Sequence, residues 1–271
     1  MTEPSSIRIH PTALLSSKAT LAPDVTVGAF AILEGEIHLG PGCVIGPRAH
    51  LIGPLTMGRR NEVYSNAVIG EKPQHLHYRD EPTSVEVGDS NVFRENVTIH
   101  RGTSDSGCTV IGTGNYFMAG SHVAHDCRVG DHCTLANNAV LGGHCILANG
   151  AHVGGNSAVH QNCRLGRLCV LEDTSSATVD IPPFIVQHGR NMVIGVNTAG
   201  MCRAGISEEQ ILAMQRGYNI VYTQGYVLNL ALARLESELG AVEAIREFVT
   251  FARQSRRGIG RVHDKGEEPA R

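Results

Sequence analysis

Apolar residues recur at every sixth position over most of this chain. The series starts at Ile9, is interrupted after Ile69 and ends at Leu171. A six-residue period is typical of a parallel β-helix, whereas a half-buried strand has a period of 2 and an amphipathic helix a period of 3.6. The pattern therefore predicts a triangular solenoid in which three six-residue units close one coil, so that residues 18 positions apart stack on one another.

The fourth position after each inward apolar residue is usually small, and this small-residue slot explains most of the cysteines. Of the eight cysteines, six occupy it, namely Cys43, Cys127, Cys133, Cys145, Cys163 and Cys169. A free cysteine behaves there as a small hydrophobic residue, and no CxxC spacing points to a metal site. We therefore expect reduced, structural cysteines and a reducing compartment, the cytoplasm.

Two stretches interrupt the repeat, residues 72–84 with two prolines and residues 101–110 with small polar side chains. Both are predicted to be external loops of the solenoid. The hexapeptide pattern fades near Asp180, and we assign residues 1–196 to the solenoid and 197–271 to a C-terminal α-helical domain. Loops on such a rigid scaffold often carry functional residues.

The C-terminal part has the periodicity of helices. The run Ser207-Glu208-Glu209-Gln210 has the form of a capping box and predicts a helix over 207–222. Amphipathic segments at about 226–240 and 241–255 predict two more helices. The charged tail, 258–271, is expected to be frayed.

Composition excludes several functional classes. A net charge of -3, 4 % aromatic residues and no Trp argue against nucleic-acid binding. The chain has no apolar run of the roughly 18 residues that a transmembrane helix needs. The start, MTEPSSIRIH, lacks the apolar region of a signal peptide.

The chain has 14 histidines, and the coil length decides which of them meet. His125, Gly143 and Gln161 are 18 positions apart and are predicted to share one edge of the solenoid. His144 directly follows Gly143, His160 directly precedes Gln161, and His122 lies three residues before His125. One exposed histidine is usually only solvated, but four on one corner indicate a site.

The sharpest pair at this corner is His125-Asp126. A histidine whose tautomer is fixed by a carboxylate is suited to act as a general base near neutral pH. Gly142-Gly143 could expose a backbone N–H to a developing oxyanion. A base and an oxyanion donor suit acyl transfer from a thioester to a hydroxyl or amine, with no cofactor.

Long motifs then resemble those of the UDP-N-acetylglucosamine O-acyltransferase family, which starts lipid A synthesis. They include Ile9-His10-Pro11-Thr12-Ala13, Thr98-Ile99-His100-Arg101-Gly102-Thr103, His122-Val123-Ala124-His125-Asp126-Cys127 and Ala158-Val159-His160-Gln161. The resemblance implies a left-handed parallel β-helix, a homotrimer with active sites between subunits, and an acyl carrier protein as donor.

The resemblance also implies a role for each matching residue. His125 would be the general base, Asp126 its orienting partner and Gly143 the oxyanion donor. Residues of the substrate-binding set would be His122, His144, His160, Gln161, Gln74, His75, His77, Asn197 and Arg203.

Some of these positions depart from the family. The family loop motif resembles Gln-Asp-Leu-Lys-Tyr, and this chain has histidines at its second and fourth positions, in Gln74-His75-Leu76-His77-Tyr78. Ala199 and Ala204 replace an acidic residue and an arginine of the family pattern, and Asp173 replaces a glycine that sets acyl-chain length. The departures predict an altered acceptor or acyl group.

Two alternatives remain open at this point. One is a trimeric β-helix metal enzyme of the γ-carbonic-anhydrase type, with His122, His125 and His144 as ligands. The other is a scaffold without activity that has kept the fold, although the presence of His125 argues against it. Metal analysis of the purified protein would distinguish the metal enzyme from the acyltransferase.

Overall fold

Three parallel β-sheets form the faces of a triangular prism in the computed structural model, which describes residues 8–262. An eleven-stranded sheet contains β1 (Arg8–Ile9), β4 (Thr26–Val27), β7 (Val44–Ile45), β10 (Glu62–Val63), β13 (Val92–Phe93), β16 (Tyr116–Phe117), β19 (Thr134–Leu135), β22 (His152–Val153), β25 (Val170–Leu171), β27 (Ile185–His188) and β28 (Met192–Val196). A nine-stranded sheet contains β2 (Leu14–Leu15), β5 (Ile32–Glu34), β8 (His50–Ile52), β11 (Val68–Glu71), β14 (Thr98–His100), β17 (His122–Val123), β20 (Val140–Leu141), β23 (Ala158–Val159) and β26 (Ser176–Ala177). An eight-stranded sheet contains β3 (Ala19–Leu21), β6 (Ile37–Leu39), β9 (Leu55–Met57), β12 (Ser84–Val87), β15 (Cys108–Ile111), β18 (Arg128–Val129), β21 (Ile146–Leu147) and β24 (Arg164–Leu165).

The predicted period is confirmed by the strand register. Val27 pairs with Ile45 in the next coil, and Val123 pairs with Leu141, so equivalent positions stack one coil apart. From Val27 onward the inward residues are almost fully buried and form one continuous core along the axis, whereas Ile9 of the first coil is exposed. The pairing is parallel throughout the coils, and within residues 8–262 only β27 and β28 pair antiparallel, at the end of the solenoid.

Two coils are longer than the others because they carry external loops. Asn91 stacks on Asn61 across 30 residues, and Asn115 stacks on Asn91 across 24, where a regular coil has 18. The first loop lies between β11 and β12, and Ser84, predicted to be in the loop, opens β12.

The second loop is shorter than predicted, because residues 108–110 belong to β15 rather than to a loop. Thr109 is fully buried and pairs with Val85, so it takes an inward position of the sheet. Its polar side chain made the segment resemble a loop in the sequence.

The small-residue slot is filled as predicted by the six cysteines, which are all buried and unpaired. Asparagines occupy the same slot in the enlarged coils, which was not predicted from the sequence. Asn91 Nδ2 donates to Asn61 Oδ1 at 3.0 Å, and Asn115 Nδ2 donates to Asn91 Oδ1 at 2.9 Å. Because each asparagine bonds to the next, the buried amide groups have the hydrogen-bond partners that apolar neighbours could not supply.

In the part of the chain that the structure describes, four helices follow the solenoid: α1 (Thr198–Arg203), α2 (Glu208–Tyr222), α3 (Leu228–Leu239) and α4 (Glu243–Arg253). The three predicted helices are present, and α2 begins at the expected cap, where Ser207 Oγ accepts from Gln210 N at 3.4 Å. The short α1 was not predicted. Within residues 8–262, no helix has the length and apolar character needed to cross a membrane.

The chain after α4 returns to the solenoid, which corrects the prediction that it frays from Gly258. Ile259 forms a bridge with Asp180, and Arg261 forms one with Met192. Buried Asp180 also accepts from Arg164 Nε at 3.0 Å and Ser255 Oγ at 2.8 Å. Residues 1–7, which include most of the segment assessed as a signal peptide, and the rest of the predicted frayed tail, 263–271, lie outside the described residues.

Candidate active site

The predicted pair His125-Asp126 lies at the corner between β17 and β18. Asp126 has φ 61°, the left-handed conformation that an aspartate tolerates in a turn. Its Oδ2 lies 2.7 Å from His125 Nδ1, and the two side chains are 11 % and 0 % exposed, with the histidine given first. An ionised carboxylate can only accept, so Nδ1 carries the proton and Nε2 is left as the basic nitrogen.

Three donors on the second external loop also bind Asp126, and the sequence analysis missed them. Thr103 donates its backbone N–H to Oδ1 at 2.9 Å and its hydroxyl to Oδ2 at 2.8 Å. Ser106 Oγ donates to Oδ1 at 2.5 Å. Burial raises the pKa of Asp126, but the hydrogen bonds from Ser106, His125 and Thr103 together outweigh it and hold the pKa at about 2.

Gly143 lies one coil above His125, as predicted. A Cβ at this position would be 2.6 Å from His125 Cε1 and 2.8 Å from Nε2, so only glycine leaves room for the imidazole. The neighbouring amides are occupied: Gly142 N donates to Val159 O, and His144 N to His125 O. Within residues 8–262, the Gly143 N–H has no acceptor, which leaves it available to an oxyanion.

Two further imidazoles contact the His125 ring edge-on. The ring of His144 is 5.2 Å away and that of His75, from the first external loop, 5.3 Å. His144 Nε2 lies 3.5 Å from Asp126 Oδ2 and 3.8 Å from Asp105 Oδ2. The first loop therefore reaches the His125 corner through His75, one of the two positions where this chain departs from the motif that it resembles.

His122 lies beside this group on the nine-stranded sheet. Its Nδ1 is 2.7 Å from Thr98 Oγ1, and its ring meets the ring of buried His100 at 4.9 Å. Burial, together with the smaller effects of the neighbouring His100 and His125, lowers the pKa of His122 to about 4. His122 is therefore neutral near pH 7 and can exchange hydrogen bonds with a polar substrate. His100 was absent from the predicted site.

The other residues predicted to bind substrate at the corner and in the first loop are exposed. Gln161 lies one coil above the Gly142-Gly143 turn, where its N would touch a Cβ on Gly142 at 2.7 Å. His160 Nδ1 lies 3.2 Å from Gln161 O. In the first loop the ring centroids of His77 and His75 are 5.7 Å apart, and Gln74, the residue before His75, is exposed. These positions surround the corner without binding His125 directly.

Asn197 and Arg203 have no contact with the corner within residues 8–262. Asn197 caps α1 by accepting from Gly200 N at 2.9 Å, and its Nδ2 donates to Leu168 O at 2.8 Å. Arg203 is exposed at the end of the same helix. The single chain therefore gives Asn197 a structural role, and its predicted part in substrate binding stays a prediction.

Asp173, the predicted acyl-length residue, is exposed at another corner, where its Oδ1 accepts from Gly155 N at 2.6 Å. Asp131 makes the equivalent bond to Thr113 N at 2.7 Å one face away. The carboxylate of Asp173 therefore also has a local structural partner, which the sequence analysis did not anticipate.

The three histidines predicted as ligands in the metal-enzyme alternative do not all lie together. In the described part of the chain, the side chains that could share a metal are His125, Asp126 and His144. The expected ligand His122 is not among them, and its Nδ1 lies next to Thr98 Oγ1. Asp126 already receives four hydrogen bonds, which leaves its oxygens poorly suited to a cation.

Comparison with known proteins decides between the alternatives. Residues 180–260 match the family model described as Udp N-acetylglucosamine O-acyltransferase; Domain 2, and residues 108–143 match that of the bacterial transferase hexapeptide (six repeats). A protein of Anaeromyxobacter sp. (strain Fw109-5) named acyl-[acyl-carrier-protein]--UDP-N-acetylglucosamine O-acyltransferase is 44 % identical over 255 residues, which are 93 % of this chain and 99 % of the relative. A protein of the same name from Syntrophobacter fumaroxidans is 40 % identical, over 93 % of this chain and 99 % of that protein. The chain belongs to the UDP-N-acetylglucosamine O-acyltransferase family.

Solved structures of this family share the whole fold. The enzyme from Acinetobacter baumannii matches with a TM-score of 0.87 at 33 % identity, over 93 % of this chain and 99 % of that chain. The enzyme from Bacteroides fragilis matches with a TM-score of 0.90 at 34 % identity, over 92 % of this chain and 98 % of that chain. These matches do not favour the carbonic-anhydrase alternative.

Substitution of Gly143 by alanine tests the stacking at the corner. The new methyl group must displace the His125 imidazole, whereas the backbone of Gly143 does not need a positive φ. We expect turnover to fall by at least about tenfold, since misplacing a catalytic group by about 1 Å can cost 10²-fold, with little change in Tm. A matched control is Gly195→Ala, where a Cβ meets nothing within 4 Å. Equal activities of the two variants would contradict the assignment of Gly143.

Proposed function

We propose that the protein transfers an acyl group from the thioester of an acyl carrier protein to a hydroxyl group of UDP-N-acetylglucosamine, the first acylation of a lipid A-type pathway. The names of its relatives state these substrates. The single observation that supports the chemistry is the His125–Asp126 pair, 2.7 Å apart, lying beneath the free N–H of Gly143.

In the proposed reaction His125 Nε2 accepts the proton of the acceptor hydroxyl. The oxygen of that hydroxyl attacks the thioester carbon, and the Gly143 N–H stabilises the negative charge that develops on the carbonyl oxygen. Collapse of the intermediate breaks the carbon–sulfur bond, and His125 returns its proton to the departing thiolate. Asp126 stays ionised throughout and stabilises the imidazolium, as in other carboxylate–histidine pairs.

Around the base, neutral His122 and the half-buried His144 offer polar contacts to the sugar. His160, Gln161, Gln74, His75 and His77 would complete the contacts to the acceptor from the solenoid edge and the first loop. In this chain an imidazole at position 75 contacts the base directly, at 5.3 Å between ring centroids. We therefore propose that the acceptor is held differently here than by the acidic and basic side chains of the family motif.

We further propose that the acyl chain follows the outer face of the nine-stranded sheet. This face extends from the corner of Gly143, after β20, to the corner of Gly155 and Asp173, beside β23 and β26. Val140 and Ala158 form apolar contacts along the way. Asp173 would end this path with a carboxylate, which an apolar tail cannot bury without cost, and so favour a shorter or more polar acyl group.

A homotrimer is also proposed, from the polarity of the same face. The outward positions that directly precede the inward residue of each strand form one row without Asp, Glu, Lys or Arg, beside which Glu34 of β5 is exposed: Leu14, Ile32, His50, Val68, Thr98, His122, Val140, Ala158 and Ser176. Leu14 is 64 % exposed in the single chain. A partner subunit on this face would cover it, and could bring its own Asn197 and Arg203 to the corner. The buried thiols support a location in the reducing cytoplasm.

Replacing His125 tests the reaction. We expect His125→Ala to lower kcat by about 10²–10⁴-fold, the usual contribution of a general base, when UDP-N-acetylglucosamine and an acyl carrier protein thioester are supplied. The matched control is His38→Ala, at an exposed position of β6. Turnover of His125→Ala within a few-fold of the parent enzyme would contradict the proposed function.

Kinetics with thioesters of graded chain length test the role of Asp173. We expect kcat/KM of the parent enzyme to be lowest with the longest acyl chains. Asp173→Gly should raise kcat/KM for these chains, because the carboxylate is removed from the end of the apolar path. The variant also loses the bond to Gly155 N, so Asp131→Gly, which loses the equivalent bond to Thr113 N, is the control. Full activity of the parent with long chains would refute the substrate shift.

The assembly is tested by light scattering. A trimer of 29.0 kDa chains is expected, and Leu14→Glu together with Val140→Glu should dissociate it by burying charges in the interface. An active, stable monomer of the parent protein would show that the apolar face does not hold subunits together.

A further inference from the structure

The second external loop, residues 101–107, folds back over Asp126. It leaves β14 and returns to β15 in a coil that spans 24 residues where a regular coil spans 18. The extra residues allow the loop to bring Thr103 and Ser106 to the carboxylate that His125 also contacts. The loop itself is fastened by Gly107 N, which donates to Thr103 O at 2.8 Å.

Each oxygen of Asp126 receives two hydrogen bonds. Oδ1 accepts from Thr103 N at 2.9 Å and from Ser106 Oγ at 2.5 Å. Oδ2 accepts from Thr103 Oγ1 at 2.8 Å and from His125 Nδ1 at 2.7 Å. The two bonds on Oδ1 fix the plane of the carboxylate and with it the direction of Oδ2.

His144 competes with His125 for this carboxylate. Its Nε2 lies 3.5 Å from Asp126 Oδ2, only 0.8 Å farther than His125 Nδ1 at 2.7 Å. A small rotation of an unrestrained carboxylate would let it serve His144 instead. A carboxylate shared between two imidazoles would hold neither of them in one tautomer.

We propose that Thr103 and Ser106 are positioning residues that lock Asp126 onto His125 and away from His144. This inference rests on the proposed function of His125 as general base. Neither residue is required to touch substrate: each acts through Asp126. Ser106 makes the sharper test, because it lies on the exposed part of the loop and contributes only its hydroxyl, whereas Thr103 is buried and also binds through its backbone.

The pH dependence of the base provides a readout that a merely structural role would not change. Without the Ser106 hydroxyl the Asp126 carboxylate can turn toward His144, so less negative charge faces His125. Protonation of the His125 imidazole then becomes harder, and the acidic limb of the kcat/KM profile moves to lower pH. The other titratable groups that face the pair are His75, His144, Asp105, His100 and His122.

The experiment compares Ser106→Ala with Ser106→Thr, which keeps a hydroxyl, and with Ser104→Ala, the same change at an exposed serine of the same loop. We expect Ser106→Ala to lower kcat by about tenfold, the order expected for one hydrogen bond to a charged group, with both KM values within about twofold and the acidic limb moved to lower pH. Ser106→Thr should recover most of kcat and the parent profile. Ser104→Ala should match the parent.

The idea is overturned if Ser106→Ala keeps the kcat and the acidic limb of the parent, or if its loss is matched by Ser104→Ala or not recovered by Ser106→Thr. A second measurement needs no substrate: the pH dependence of carbethoxylation of His125, followed by mass spectrometry of its peptide. A shift of its midpoint to lower pH in Ser106→Ala is expected there too. If the parent enzyme fails to turn over the proposed substrates, the proposed function fails, and the carbethoxylation profile alone decides the role of Ser106.

Discussion

The stacking of one coil on the next is the constraint on which the site depends. Backbone hydrogen bonds join the corners of successive coils: His144 N donates to His125 O at 3.0 Å, and Asn162 N donates to Gly143 O at 2.9 Å. The spacing of the corners is therefore fixed by main-chain geometry and by the inward apolar residues below them. The proposed base on one coil and the proposed oxyanion donor on the next are thereby held in register, as the proposed acyl transfer would require.

Where the protein departs from this regularity, it gains groups that the regular coils cannot supply. The first enlarged coil brings His75 to 5.3 Å from the His125 ring, and the second brings Thr103 and Ser106 to Asp126. Both loops begin and end on strands of the prism, so His75, Thr103 and Ser106 lie on loops that are anchored at both ends. The low pKa of Asp126, about 2, is a consequence of these contacts rather than of its exposure, because burial alone would raise it.

The six-residue period was sufficient to predict the solenoid, the inward residues and the meeting of His125 with Gly143, since all of these follow from a fixed coil length. Residues in the enlarged coils have no such register, so the contacts of Ser106 and Thr103 could not be deduced, and Thr109 was mistaken for part of a loop. Asn197 illustrates a different limit: an amide that suits a ligand equally suits a helix cap. The resemblance to the family identified its position but could not reveal these competing bonds.

The most direct test of this account is the protonation state of the two His125 nitrogens in the unliganded protein. ¹⁵N spectra of histidine-labelled protein near pH 7, with the His125 signals assigned by their loss in a His125→Gln variant, report it without any substrate. The 2.7 Å contact from Nδ1 to the ionised Asp126 predicts that the neutral His125 ring carries its proton on Nδ1. A neutral ring with its proton on Nε2, or an even mixture of the two tautomers, would contradict the account.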